Sequence, residues 1–441
     1  MRLHSLRLVC AMGMVAVLMA IPYSASGQAA VGRIHGITPV PCADRAWTDD
    51  DPSFAPLPGA QALSGRYEGG LYRIETPANW NGELVLWAHG LVGANGPQGS
   101  RLAVGFPGGR GGLLREHLIT GGFAWAASSY RCNGVVPGIG LLDTMSLIDV
   151  FTRSSNGRKP SRVYLVGESM GGNVTILGLQ EFPNAFAGGL AMCASGPDVM
   201  DFLTAVGAAS DLITGVTVRN STSDQDISLL TNALGRPPDL TTAGRQLASV
   251  QIEISGGPRP FAMEGLASRL VENVRMSATI AETAVWKAVA TNAGLKYRID
   301  ERFGLSADAI NKRVRRRIAD ADARSPHGLY TEAIAFDGRI ERPLLTLHGT
   351  GDLFVPILLE RTLKRAVARA HKEQFLVQRI MRIAGHCGFS QQEQATAFDD
   401  LITWVHEGKR PAGDDVLHDL RDAGLTFTNP LRPGDPGTRQ P

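Results

Sequence analysis

The side chain best placed to do chemistry is Ser169, which lies in the sequence Gly-Glu-Ser-Met-Gly at positions 167–171. The apolar run Val163–Val166 before it has the pattern of a buried strand, and a helical pattern of apolar residues follows it. A serine in Gly-x-Ser-x-Gly between a strand and a helix occupies a strained corner with its hydroxyl exposed. The outer glycines are needed because the two backbones come too close for a Cβ. We therefore predict that Ser169 is a nucleophile; the alternative is a structural turn.

A serine hydroxyl needs a base to take its proton, and an imidazole needs an acid to hold its tautomer. His386 lies in a glycine-flanked loop directly after the last predicted strand, and Asp352 follows the strand before it in Gly-Thr-Gly-Asp. Both loops belong at the sheet edge where Ser169 is expected, so we predict His386 as the base and Asp352 as the acid. A surface-loop histidine and a turn aspartate are the alternatives. The competing candidates for the base do not lie in a glycine-flanked loop at that edge; they are His89, His348, His371, His406 and His418.

Negative charge that develops on a substrate oxygen needs preorganised hydrogen-bond donors. The backbone N–H of Met170, directly after the nucleophile, is one candidate. The second is the N–H of Leu91, in the loop after the strand that ends in His89-Gly90. We predict an oxyanion hole formed by Met170 and Leu91, with His89 holding the loop in place.

The elements that must position these residues alternate between strand and helix as far as Cys193, which predicts a mostly parallel sheet covered on both faces. We assign residues 28–197 to the first part of this core and 338–408 to the second part. The segment 198–337 is helical in pattern and is predicted to be a cap or lid insertion. Residues 409–441, rich in Pro, Gly and Asp, are expected to form an extended tail.

Three stretches of the insertion have amphipathic helical patterns: Ala243–Ile254, Gly265–Val274 and Ala307–Ile318. The run Arg313–Arg317 within the last of them is interpreted as a solvated helix face. Contact with an acidic substrate is the alternative interpretation of these arginines.

Residues 1–27 have the features of a secretory signal peptide. A basic start precedes the uncharged apolar stretch Leu8–Ile21, and small residues at 25–27 offer cleavage near Gly27. The stretch is too short for a comfortable membrane span, although an uncleaved anchor is the alternative. We expect a secreted or periplasmic protein of about 414 residues with no stable membrane insertion.

The mature chain would carry 42 basic and 42 acidic side chains, so no charge excess points to nucleic acid or an anionic membrane as a partner. Its four cysteines, Cys42, Cys132, Cys193 and Cys387, suggest two disulfides in an exported protein, with free buried thiols as the alternative. Neither metal-ligand spacing nor a nucleotide motif is found, so no cofactor or metal is predicted.

Several motifs occur together: Asn-Trp-Asn-Gly at 79–82, Leu-Val-Leu-Trp-Ala-His-Gly at 84–90, the Ser169 motif, Gly-Asp at 351–352 with Val-Pro at 355–356, and Gly-His-Cys at 385–387. This set resembles the α/β-hydrolase superfamily, in particular secreted bacterial serine hydrolases of the esterase-like or prolyl-oligopeptidase-like kind. The resemblance covers about Gly65 to Gly408 and includes the chain order Ser–Asp–His. It implies the α/β-hydrolase fold, a mostly parallel central sheet flanked by helices, with the insertion where the superfamily carries its lid.

A fainter similarity is to tannases and feruloyl esterases, which join a cysteine beside the serine to one beside the histidine. This chain has Cys387 beside His386, but Glu168 stands beside Ser169. We therefore hypothesise that Cys387 pairs with Cys193, which leaves Cys42 to pair with Cys132.

The resemblance implies a serine hydrolase that cleaves carboxylic esters, small or oligomeric, through an acyl-enzyme. An exopeptidase or amidase with the same three residues is the alternative, and it would need a charged anchor such as Glu168 or Arg131. A non-catalytic binding protein of this fold is a third hypothesis, weakened because all three residues are retained. Substrate identity and oligomeric state are left open by the sequence.

Overall fold

The computed structural model describes residues 48–93, 101–282, 284–321, 323–324 and 336–428. The predicted signal peptide with its cleavage point near Gly27, and Cys42, lie outside these residues.

An eight-stranded sheet runs through the centre of the described chain. Its strands are β1 (Ala60–Tyr67), β2 (Gly70–Pro77), β3 (Glu83–Ala88), β4 (Ala124–Ser128), β5 (Arg162–Glu168), β6 (Gly188–Met192), β7 (Leu344–Gly349) and β8 (Leu376–Met381). Their order across the sheet is β1-β2-β4-β3-β5-β6-β7-β8. β1 pairs antiparallel with β2 and β2 with β4, whereas all the other pairs are parallel. The carboxyl ends of β3 to β8 therefore meet at one edge.

Helices cover the sheet and form the connection between β6 and β7. They are α1 (Arg115–Thr120), α2 (Pro137–Ser154), α3 (Met170–Glu181), α4 (Pro197–Thr214), α5 (Asp224–Leu234), α6 (Thr242–Ile254), α7 (Ala262–Ala267), α8 (Glu272–Glu282), α9 (Ala284–Val289), α10 (Ala307–Arg313), α11 (Leu358–Arg369) and α12 (Gln391–Glu407). Short two-residue ladders join Thr48–Asp49 to Arg101–Leu102 and Gly235–Arg236 to Asp239–Leu240. Among the described helices, none has the length and apolar character needed to cross a bilayer.

The apolar strands separate two hydrophobic layers. Side chains of β3 alternate between the faces: Leu84 and Leu86 pack with α2, α3 and α11, whereas Val85 and Trp87 pack with α1 and α12. All six residues of β3 are buried, as expected for a parallel strand covered on both sides. A capping box starts α12, where Ser390 and Glu393 cap each other's backbone N–H groups.

The helices between β6 and β7 share a hydrophobic cluster of their own, to which α4, α6 and α8 contribute most. The helix predicted over Gly265–Val274 is wrong, because α7 ends at Ala267 and α8 begins only at Glu272. The helix predicted to reach Ile318 ends at Arg313, where the backbone becomes extended. The spacing of apolar residues predicts that these stretches are helical, but it does not predict where the helices end.

The arginine run does not form a solvated helix face, so that interpretation is wrong. Arg316 donates to the carbonyl oxygens of Asn292 and Leu295 at 2.8 and 2.6 Å. Arg317 donates through Nε to the carbonyl oxygen of Ala290 at 3.2 Å. These guanidinium groups satisfy backbone carbonyls of the loop after α9.

The described part of the tail follows the edge of β8. Asp414 donates its N–H to the carbonyl oxygen of Gln378, and its carboxylate accepts the N–H of Ile380, both at 2.7 Å. Edge strands leave backbone groups unpaired, and this segment covers those of β8.

The contact between α3 and the end of β3 leaves no room for side chains. A Cβ on Gly171 would lie 1.9 Å from the carbonyl oxygen of Ala88, and a Cβ on Gly167 would lie 2.3 Å from that of Gly171. Both contacts are with backbone atoms, which cannot move aside without shifting a strand. The two glycines of the sequence motif are thus required by packing.

Replacing Gly171 with Ala should lower the free energy of unfolding by more than about 3 kcal/mol, because the new methyl group collides with the β3 backbone. Urea titration followed by circular dichroism measures the change. Gly294→Ala is the matched control, since no atom lies within 4 Å of its added Cβ. Equal stability of the two variants would contradict this packing argument.

Candidate active site

Ser169 occupies the corner between β5 and α3. Its backbone has φ 55° and ψ −118°, a left-handed conformation that a residue with a side chain rarely adopts. The corner is held from the neighbouring strand, because the N–H of Ser169 donates to the carbonyl oxygen of Met192 at 2.9 Å. The side chain consequently stands at the carboxyl edge of the sheet.

The loops after β7 and β8 bring Asp352 and His386 to the same edge. His386 Nε2 lies 2.9 Å from Ser169 Oγ, and His386 Nδ1 lies 2.5 Å from Asp352 Oδ2. The second carboxylate oxygen of Asp352 accepts the backbone N–H groups of Phe354 and Val355 at 3.0 and 2.9 Å. The structure thus joins the three sequence-predicted residues in a continuous hydrogen-bonded chain.

The Asp352 carboxylate is fully buried. Burial alone would raise the pKa of Asp352, but the charge of His386 and its hydrogen bond hold that pKa below the ordinary value. The ring of Phe354 meets the imidazole edge to face, with 5.3 Å between the ring centroids. This environment keeps the acid ionised and restricts the orientation of the imidazole.

The competing histidines that bind carboxylates do so away from Ser169. His348 is buried within β7, with its Nδ1 3.4 Å from Glu360. His406 lies 2.9 Å from Glu83, and His418 lies 2.5 Å from Asp415.

His89 holds the loop that carries Leu91. Its Nδ1 donates to the carbonyl oxygen of Gly90 at 2.7 Å, and its ring stacks on Tyr130 with centroids 3.9 Å apart. A Cβ on Gly90 would lie 3.1 Å from the Cβ of Ser169, so this loop passes directly over the corner. The close passage brings the loop that carries Leu91 to the serine, while the role of Leu91 as an oxyanion donor stays a prediction.

A cavity of about 60 Å³ opens at Ser169. The predicted oxyanion residues Leu91 and Met170 both line it, and α4, α8 and α9 form its far wall. Most of the lining is apolar; it comprises Leu91, Val135, Ser169, Met170, Asn173, Ser195, Gly196, Val199, Met200, Leu203, Met276, Ile280, Trp286, Phe354 and Val355.

The helical segment between β6 and β7 also supports the loop that carries Asp352, which the sequence did not reveal. Arg259 is buried and donates through Nε to the carbonyl oxygen of Thr350 at 2.6 Å. Asn273 donates to the carbonyl oxygen of Leu353 at 2.9 Å. Burial lowers the pKa of Arg259 to about 10, while the nearby Asp352 charge favours its ionised form. Arg259 and Asn273 therefore hold the backbone on both sides of Asp352.

The two candidate charged anchors differ in their surroundings. Arg131 donates through Nε to Asp143 at 2.8 Å and also contacts Glu68, so it serves local structure. Glu168 lies against the loop before α1, because a Cβ on Gly109 would come within 2.2 Å of its carboxylate. Burial raises the pKa of Glu168, and the charge of His386 partly opposes that rise.

Cys193 and Cys387 form a disulfide with their Cα atoms 5.4 Å apart, which confirms that predicted pair. Cys193 follows β6, and Cys387 follows His386. Cys132 is buried and disulfide-bonded. Its predicted partner Cys42 lies outside the described residues, so that pairing stays a prediction.

The strand order and the strand-to-helix corner at Ser169 define an α/β-hydrolase fold, as predicted. The resemblance to that superfamily is confirmed at the level of the fold. No family model matches the chain, and no curated protein matches it.

Solved structures similar to this chain include an esterase from Pyrococcus furiosus, with 12% identity over 81% of this chain and 98% of that one and a TM-score of 0.41. Feruloyl esterase B from Aspergillus oryzae is 15% identical over 80% of this chain and 82% of its own, with a TM-score of 0.45. An acylaminoacyl peptidase from Pyrococcus horikoshii is 12% identical over 82% of this chain but 44% of its own, with a TM-score of 0.38.

Replacing Glu168 with Gln should raise the melting temperature at pH 7. The folded-state pKa of Glu168 lies above its unfolded value, so protonated Glu168 favours the native state below the unfolded pKa, and this stabilisation is lost as pH rises through the folded pKa. Gln is neutral at every pH and avoids that loss. The rise in melting temperature should therefore vanish near pH 4, where Glu168 is also neutral. Thermal melts of both proteins between pH 4 and 8 test this. Glu116→Gln, at an exposed position on α1, is the control, and an unchanged melting temperature for the Glu168 variant at pH 7 would refute the expectation.

Proposed function

We propose that this protein is a secreted serine hydrolase that cleaves carboxylic esters through an acyl-enzyme intermediate. The observation that carries the proposal is the chain of hydrogen bonds from Ser169 Oγ through His386 to Asp352 at the mouth of a mostly apolar cavity. Nucleophile, base and acid in this geometry are the requirements for acyl transfer by a serine.

In the proposed reaction Ser169 Oγ attacks the ester carbonyl carbon while its proton passes to His386 Nε2. The imidazolium formed is stabilised by Asp352, and His386 then gives the proton to the leaving alcohol. A water molecule, deprotonated by the same nitrogen, releases the acid and restores the serine. The N–H groups of Met170 and Leu91 would stabilise the oxyanion of each tetrahedral intermediate.

An ester is favoured over a peptide because of what surrounds Ser169. Arg131, one of the two candidate anchors for a charged terminus, is engaged by Asp143. The Glu168 carboxylate lies against Gly109 and is not part of the cavity lining. An exopeptidase or amidase with the same three residues is the alternative; it would need Glu168 to hold an amino terminus from outside this lining.

We assign residues 198–337 to a cap that covers the site. The support is that α4, α8 and α9 supply Met200, Leu203, Met276, Ile280 and Trp286 to the cavity wall. The core would then comprise 28–197 and 338–408, followed by the tail 409–441. Residues 1–27 would direct export and then be removed, which leaves a mature protein in which Cys42 and Cys132 form the second disulfide.

Ser169→Ala should lower kcat/KM for p-nitrophenyl esters by at least about 10⁴-fold, because the acyl-enzyme cannot form without the hydroxyl that His386 activates. Initial rates on esters of two to eight carbons and on aminoacyl-anilides measure both the loss and the preference of the wild type. Undiminished activity in the Ser169→Ala variant would contradict the proposed mechanism. Faster cleavage of anilides than of esters by the wild type would favour the peptidase alternative.

Asp352→Asn should lower kcat by about 10⁴-fold with little change in KM, because an amide no longer fixes the imidazole tautomer or stabilises the imidazolium. Glu360→Gln provides a comparison, since Glu360 is equally buried but faces His348 and Thr346. Steady-state kinetics at pH 8 separates them. Similar losses in both variants would mean that the effect is one of folding.

A further inference from the structure

Asn173 lies on α3 one turn beyond the nucleophile, and its N–H donates to the carbonyl oxygen of Ser169 at 3.2 Å. Residues four apart on a helix project from the same face. The Asn173 side chain accordingly lines the cavity that opens at Ser169, although only 4% of its surface is exposed.

The carboxamide oxygen of Asn173 has no hydrogen-bond partner in the described part of the chain. This atom, Oδ1, is fully buried. Burying a polar group without a partner destabilises a protein, so such groups call for a specific explanation. Because Asn173 lines the cavity beside the nucleophile, a substrate that enters the cavity can provide a partner for this amide.

The remaining lining limits what that partner can be. Ser195 and Ser169 are the other hydroxyl-bearing residues lining this cavity, and the wall opposite is formed by apolar side chains such as Leu203 and Ile280. A charged group would lose its hydration there without gaining a counter-ion. A single uncharged polar group on an otherwise apolar acyl chain fits this surface.

A hydroxyl group fits the Asn173 amide best. Carboxamide oxygen and nitrogen atoms can exchange places by a flip of the side chain, so the cavity receives either an acceptor or a donor. A hydroxyl both donates and accepts, and it pairs with the amide in either orientation.

The separation between Ser169 and Asn173 determines which carbon of the acyl chain can carry the hydroxyl. One helical turn rises about 5.4 Å, so a group that reaches Asn173 is carried by the second or third carbon of the acyl chain, counting the carbonyl carbon attacked by Ser169 as the first. The cavity, at about 60 Å³, is also smaller than the roughly 150 Å³ that hold a benzene molecule. This volume favours a short acyl chain.

We propose that Asn173 makes this cavity an acyl site for short hydroxyacyl esters, with the hydroxyl on the second or third carbon. The inference rests on the proposed ester hydrolysis and identifies its substrate class. Asn173 acts here as a specificity-determining residue that binds the substrate hydroxyl.

The test compares three methyl esters that differ only in the hydroxyl: butyrate, 2-hydroxybutyrate and 3-hydroxybutyrate. For the wild type, kcat/KM for at least one hydroxy ester should exceed that for the butyrate ester by about tenfold or more. The reason is that the butyrate chain leaves the Asn173 amide buried without a hydrogen-bond partner. In Asn173→Leu the ratio should fall to one or below. Ser210→Ala, which removes another buried, unpartnered polar atom outside the cavity, should keep the wild-type ratio.

A wild-type ratio near one, or a preference that survives in Asn173→Leu, would overturn the assignment. Product inhibition of the wild type gives the same test without a variant: 3-hydroxybutyrate or 2-hydroxybutyrate should inhibit at concentrations about tenfold below butyrate, and equal inhibition by all three contradicts it. Cleavage of methyl butyrate without a hydroxyl preference defeats this inference alone. Absence of any Ser169-dependent ester cleavage defeats the proposed function itself.

Discussion

The close approach of α3 to the end of β3 is the constraint on which the rest of the structure depends. The Gly171 backbone lies against the carbonyl of Ala88, so the chain can turn directly from β5 into a helix. This turn raises Ser169 above the sheet edge, where the parallel strands β7 and β8 also end. The carboxyl ends of neighbouring strands then bring Asp352 and His386 to the serine.

Much of the site could be predicted because its signals are local. Ser169, Asp352 and His386 each follow a recognisable strand, and glycines mark the turns at which the strands end. Parallel strands place such loops at one edge, which makes residues far apart in sequence neighbours in space. The Cys193–Cys387 pair is predictable for the same reason, since Cys193 directly follows β6 and Cys387 lies in the loop after β8.

The residues that the sequence did not reveal depend on packing between distant segments. Arg259 and Asn273 reach Asp352 from a helical region whose pattern says only that one face is buried. Asn173 looks like an ordinary polar residue in an apolar helix, and the one signal that could have found it is its spacing of four from Ser169. The arginine run was misinterpreted because its carbonyl partners, near Asn292, are not neighbours in a helical periodicity.

The disulfide has a consequence for how this chain tolerates cleavage. The bond spans 194 positions, and the whole helical insertion lies within the loop that it closes. A protease that cuts the insertion would produce two pieces, one carrying Ser169 and the other carrying both Asp352 and His386. The bond between Cys193 and Cys387 would keep these pieces covalently joined beside the serine. In an environment with proteases, a nicked molecule would thus retain its three reactive groups in one covalent unit.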